Sequence, residues 1–208
     1  MKSITKKSLL ALGTAFIAFL VISFTPPTPG YQVGDTVKDF SLKNIDGKKV
    51  SLAGLKNNKG AIVVFTCNHC PFSVAYEDRI IALNKKFEAQ GFPVVAINPN
   101  DATKVPDDSF EKMQVRAKEK NFTFPYLQDA TQEIAKAFGA SRTPHVFLLT
   151  REGATYKVAY IGAIDNNTDE PEQASQKYVE TAISEITAGK PVSTSFTKAI
   201  GCTIKWKM

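Results

Sequence analysis

Polar and apolar positions alternate along this chain in a way that predicts strands and helices taking turns. Phe40–Leu42 and Val50–Leu52 flank Asp46-Gly47, the signature of a β-hairpin. Ala61–Phe65 is a short, continuous apolar run, which a strand buried on both faces requires. Phe72, Tyr76, Ile80, Leu83 and Phe87 then recur at intervals of four, four, three and four, one face of a long helix that stops near Gly91. Val94–Asn98 reads as the next strand. Asp108 and Glu111 form a capping box for a helix with Phe110, Met113 and Ala117 inside. Phe124–Leu127 is a short extra strand, and Thr131–Phe138 a short helix closed by Gly139.

Farther on, His145–Thr150 and Ala154–Tyr160 are two strands joined tightly through Arg151-Glu152-Gly153. Tyr156, Val158 and Tyr160 alternate with Thr155, Lys157 and Ala159, as in a half-buried antiparallel strand. A last helix is expected to start at Pro171 and bury Ala174, Tyr178, Ala182 and Ile186, with Gly189 and Pro191 ending it. The order is that of one α/β domain over residues 33–190, a central mixed β-sheet flanked by helices with an N-terminal hairpin and a helix–strand insertion. Residues 191–208 form a tail that carries Cys202 and is expected to dock through Ile200, Ile204 and Trp206.

The N-terminus departs from this rhythm. Lys2, Lys6 and Lys7 precede the uncharged run Leu9–Ile22, so residues 1–23 read as a secretory signal peptide or, if uncleaved, as an N-terminal anchor. Residues 24–32, with Thr25-Pro-Pro-Thr-Pro-Gly30, are expected to be a stiff linker. The body is therefore expected in an exported compartment, the periplasm or cell envelope, with membrane contact only through an uncleaved N-terminus. The formal charge of +6 falls to +3 once these lysines are set aside, too mild to argue for nucleic acid. At 208 residues with 43% apolar side chains, the chain can bury a sizeable core, and three cysteines are too few for a disulfide framework.

Candidate chemistry concentrates at Cys67-Asn68-His69-Cys70-Pro71, between a buried strand and a helix. Free N–H groups at a helix start favour an anion, which lowers a thiol pKa there. Cys67 is the expected exposed, attacking sulfur and Cys70 the buried, resolving one, with His69 stabilising the Cys67 thiolate. A structural disulfide and half of a zinc site are the alternatives, but no second C-x-x-C or H-x-x-H pair exists to complete a zinc site. No cofactor is called for beyond a redox-active Cys67–Cys70 disulfide, and no metal.

On these residues the chain resembles the thioredoxin-like redoxin superfamily, which includes the alkyl hydroperoxide reductase and thiol-specific antioxidant proteins. The resemblance rests on Val33-Gly34-Asp35, Phe40-Ser41-Leu42, Asp46-Gly47 with Val50-Ser51-Leu52, the CxxC after its strand, and Thr143-Pro144. It implies a thioredoxin-like fold and a thiol–disulfide oxidoreductase acting on protein or small-molecule thiols and disulfides, with a separate electron donor or acceptor. It also gives Thr143-Pro144 a cis proline that shapes the substrate groove. Three departures matter. Thr66 stands where thioredoxins carry Trp, Asn68-His69 replace Gly-Pro, and Ala61–Phe65 offers no buried acid to take the proton of Cys70. The alternatives are a thiol peroxidase acting through Cys70 or Cys67, and a Cu(I)- or Zn-binding metallochaperone using the cysteines and His145. Without metal, His145 is a strand residue pointing into the sheet. Arg142 is expected to be a solvated loop residue, and Cys202 a packed thiol or a third redox cysteine.

Overall fold

The computed structural model describes residues 30–55 and 57–207. The signal or anchor expected over residues 1–23, and residues 24–29 of the linker, lie outside this range. Among the described residues no helix is long and apolar enough to cross a membrane.

In chain order the strands and helices are β1 (Thr36–Val37), β2 (Ser41–Asn44), β3 (Lys49–Ser51), β4 (Gly60–Phe65), α1 (Pro71–Phe87), β5 (Val94–Asn98), α2 (Phe110–Glu119), β6 (Tyr126–Gln128), α3 (Glu133–Phe138), β7 (Arg142–Thr143), β8 (His145–Glu152), β9 (Thr155–Gly162), α4 (Tyr178–Thr187) and β10 (Cys202–Thr203). Eight strands form one sheet in the order β1-β9-β8-β4-β5-β6-β2-β3. β4, β5 and β6 run parallel, and the remaining neighbours are antiparallel. β6 is more than an accessory strand, because it joins the β2–β3 hairpin to the rest of the sheet. β7 and β10 form a separate two-stranded ribbon.

β4 is buried along its whole length because helices cover both faces of the sheet. Its side chains alternate between two cores. Ile62 and Val64 join Tyr76, Ile80, Leu83, Met113, Val179 and Ile183 on one face. Ala61, Val63 and Phe65 meet Phe40, Phe138, Phe147 and Ile204 on the other. Phe138 is the hub of the second core, in edge contact with Tyr31, Phe40, Phe65 and Phe147 at centroid distances of 5.1 to 6.0 Å. Each such contact contributes roughly 0.5–1.5 kcal/mol beyond burial. Tyr31 is thus packed into the body, although the sequence reading placed it in the linker. Gly30 approaches Gly139 so closely that a Cβ at residue 30 would fall 2.1 Å from the Gly139 Cα.

Several local expectations need correction. Phe72 is 36% exposed and Ser73 faces inward, because the first turn of α1 packs on the motif rather than on the core. The α2 cap is Ser109, whose Oγ accepts from the Lys112 N–H, and not Asp108. The last helix starts at Tyr178, not at Pro171, which opens only a short 3-10 turn. Residues 165–177 are instead drawn into a loop anchored on Asp165. The Arg79 guanidinium donates to both Asp165 carboxylate oxygens and to the carbonyls of Asn167 and Thr168. Val179, Ala182 and Ile183 form the buried stripe, and Ala174 is left partly exposed.

A candidate redox site of three cysteines around Thr143

The CxxC loop follows β4 directly. The Thr66 N–H still pairs with the Ile97 carbonyl, after which the chain turns and Cys70 becomes the N-cap of α1. Pro71 occupies the first helical position, where a missing N–H costs nothing. Opposite the loop, the Thr143–Pro144 peptide bond is cis. Thr143 is completely buried and faces both motif sulfurs. Its Oγ1 lies 3.3 Å from Cys67 Sγ, and its carbonyl oxygen 3.3 Å from Cys70 Sγ.

The tail brings the third cysteine to the same residue. Cys202 is the register partner of Thr143 in the β7–β10 ribbon, and its sulfur is bonded to Cys70 across a Cα separation of 6.2 Å. Cys67 is the free thiol. In this state the bonded pair is Cys70–Cys202, and not the expected Cys67–Cys70. A shorter loop would join Cys67 to Cys70, but the fold itself holds Cys202 beside Cys70. The Arg142 Nη1 donates to the Gly201 carbonyl, and the Ile204 N–H donates to the Ser141 carbonyl. A Cβ on Gly201 would sit 2.3 Å from the Thr143 carbonyl oxygen, so only glycine admits this approach. Ile204 is buried in the second core. One further expectation falls here. Arg142 is half-buried and engaged rather than solvated, and the tail pairs along Arg142 and Thr143.

Cys67 is not exposed either, at 2%. Burial is the main cause that pushes its thiol pKa up, and the nearby Asp108 charge pushes it farther. Hydrogen bonding with Thr143, Ser73 and the Cys70 backbone acts in the opposite direction without reversing the shift. The expected lowering fails because Cys67 precedes the helix by three residues and lies in a dry, acid-flanked site. His69 also behaves differently from expectation. Its Nδ1 meets the Asp108 carboxylate at 2.6 Å, so the imidazole is spent on that acid rather than on the Cys67 sulfur.

Asp108 is the residue that sequence reasoning missed. Its side chain is fully buried and accepts from the Asn68 N–H at 2.7 Å, from His69, and from Asn100 Nδ2 at 2.7 Å. Asn100 in turn accepts from the Lys205 N–H through Oδ1, so one hydrogen-bonded chain links the motif, the insertion and the tail. Tyr126 adds a hydroxyl that donates to Asn68 Oδ1. The only sequence signal for Asp108 was an acid at a helix start, which reads as a cap. The strand contributes no acid, and the inserted segment does.

Ligand-capable atoms of Cys67, His69 and Asp108 lie within 4.8 Å of one another. His145 is elsewhere. Its ring packs on Phe147 at 4.7 Å, its Nδ1 accepts from the Ser141 N–H, and burial lowers its pKa to about 4. A metallochaperone site built from the cysteines and His145 is therefore not assembled, since Cys70 is in a disulfide and His145 belongs to another cluster.

A mixed sheet with this strand order, a CxxC loop before α1 and a facing Thr-Pro loop define a redoxin with the thioredoxin-like fold. The chain belongs to the AhpC/TSA family, which it matches over residues 33–161, and is an oxidoreductase by that membership. It is similar to a hypothetical protein of Sinorhizobium meliloti 1021 of known crystal structure, at 34% identity and a TM-score of 0.78, covering 86% of this chain and 96% of that one. An uncharacterized conserved protein from Geobacillus kaustophilus is similar at 35% identity and a TM-score of 0.78, covering 85% and 93%. The thiol-disulfide oxidoreductase ResA of Geobacillus thermodenitrificans is 26% identical over 153 residues, 72% of this chain and 79% of that protein.

Proposed function

We propose that the protein is an exported thiol–disulfide oxidoreductase that exchanges disulfides with protein or small-molecule thiols through the Cys67-Asn68-His69-Cys70 motif and Cys202. One observation carries this reading. Three cysteines meet at Thr143, one as a thiol and two as a disulfide, in the way an exchange centre needs sulfur neighbours. Cys70 opens α1, where the free N–H groups and the helix dipole stabilise it as a leaving thiolate when the disulfide opens. Thr143 and Pro144 hold the facing wall. A separate electron donor or acceptor completes the cycle, and the apolar N-terminal run with its three lysines supports a cell-envelope location.

The test is turnover of a protein disulfide, such as those of insulin, with a dithiol as donor. Activity that is lost in Cys70→Ser supports the reading, and wild-type turnover no faster than dithiol alone overturns it. A thiol peroxidase is the second reading. What favours it is a cysteine at a helix start bonded to a partner 132 residues away, a layout in which one sulfur takes the oxygen and the other resolves it. Consumption of hydroperoxide by the same sample, stoichiometric with dithiol oxidised, would select that reading instead.

A further inference from the structure

We propose that the disulfide migrates inside the protein, with Cys70 as the shared sulfur, between the Cys70–Cys202 bond and a Cys67–Cys70 bond that frees Cys202 as the less buried thiol. This deepens the oxidoreductase reading and rests on it. The step is a thiol–disulfide exchange. The Cys67 thiolate attacks Cys70 Sγ, the Cys67–Cys70 bond forms, the Cys70–Cys202 bond breaks, and Cys202 leaves as a thiolate. The proton that Cys67 gave up ends on Cys202, so one disulfide and one thiol are present before and after, and no outside oxidant or reductant is consumed.

Three observations point to it. First, the nucleophile is in place. Cys67 and Cys70 sulfurs contact the two oxygens of one residue, each at 3.3 Å.

Second, the leaving group has somewhere to stay. β10 is held by contacts that do not use the Cys202 sulfur. These are its pairing with β7, the Arg142 bond to the Gly201 carbonyl, and the Lys205 backbone bonds to Asn100, Asp101 and Gln132. Ile204 packs in the core beneath. A freed Cys202 thiol therefore remains beside Cys70, and the return step is intramolecular.

Third, the three cysteines differ in burial. Cys67 and Cys70 are 2% and 0% exposed, whereas Cys202 is only half-buried. Of the three, Cys202 is the residue nearest to solvent, and the exchange carries oxidising equivalents between it and the buried motif.

Trapping tests this directly. Oxidised wild type is mapped at zero time after acid quenching, where Cys70–Cys202 is expected. It is then incubated with excess iodoacetamide under native conditions without reductant and mapped again by non-reducing mass spectrometry. The expected product carries the label on Cys202 and a Cys67–Cys70 disulfide, and Cys67→Ala shows a complete loss of labelling with Cys70–Cys202 retained. In Cys202→Ser, oxidation at the glutathione poise that fully oxidises wild type is expected to give Cys67–Cys70. Label confined to Cys67 with Cys70–Cys202 intact, no label over a period that fully alkylates the unfolded chain, or a folded Cys202→Ser that stays fully reduced would each overturn the relay. Insulin turnover is scored separately, so a failed relay with intact turnover leaves the oxidoreductase reading standing.

Discussion

Reducing the Cys70–Cys202 bond should cost the protein a large part of its stability, because that bond closes 132 residues of chain. In the chain-entropy account, a crosslink over that span removes about 5 kcal/mol of conformational freedom from the unfolded state, and native disulfides deliver about 2–5 kcal/mol. The folded state loses little in exchange, since β10 keeps its backbone pairing and its contacts with Asn100, Gln132 and Ile204's core neighbours. Urea unfolding of oxidised and dithiol-reduced wild type, followed by circular dichroism, should therefore show a loss of about 2–5 kcal/mol. The slope against urea should rise on reduction, because the uncrosslinked unfolded chain exposes more surface. Cys202→Ser adds a second comparison. If its disulfide moves to Cys67–Cys70, the tiny loop it closes returns only about 2 kcal/mol on the same account. Oxidised Cys202→Ser should then fall between the two wild-type states. Equal midpoints for oxidised and reduced wild type would refute the reasoning, and would mean that the tail contributes no crosslink to the folded population.

Further predictions concern charge and burial. Lowering the pH from about 6.5 toward 4 should destabilise the protein by about 3 kcal/mol through His145 alone, because the folded imidazole titrates at about 4 while the unfolded one takes its proton near 6.5. The contribution is present above pH 6.5 and lost as the pH falls; urea midpoints of His145→Gln should lack this acid limb. Asp108→Asn removes the second cause that raises the Cys67 pKa, so the thiolate absorbance of the reduced protein should titrate at lower pH and Cys67 should alkylate faster than in wild type. An unchanged or higher titration midpoint would contradict the assigned charge effect. Arg79→Met strands the buried Asp165 carboxylate and should cost about 3–5 kcal/mol in the same unfolding assay, while leaving the Cys70–Cys202 pairing intact on the peptide map.

The elements were legible in the chain because burial imposes periodicity. The short, β-branched run Ala61–Phe65 fits a strand with cores on both faces, and Tyr76, Ile80, Leu83 and Phe87 fit one side of a helix. Boundaries failed where a polar anchor took over from that periodicity. Asp165 and Arg79 hold residues 165–177 as a loop, so Pro171 does not begin the helix its position advertises.

The motif cysteines were legible for the same local reason, strand then CxxC then helix. Their pairing was not. A disulfide depends on which sulfurs the folded chain brings within reach, and Cys202 reaches Cys70 only because Gly201 slips against Thr143 while Ile204 anchors the tail. Asp108 was hidden by the same logic. Sequence spacing assigns an acid at a helix start to the backbone of that helix, whereas packing turned this one onto Asn68 and His69, forty residues away or nearly so. The chain by itself determined which residues carry sulfur chemistry. The tertiary structure decided which sulfurs are bonded and which are buried, because those are properties of distance and packing rather than of order along the chain.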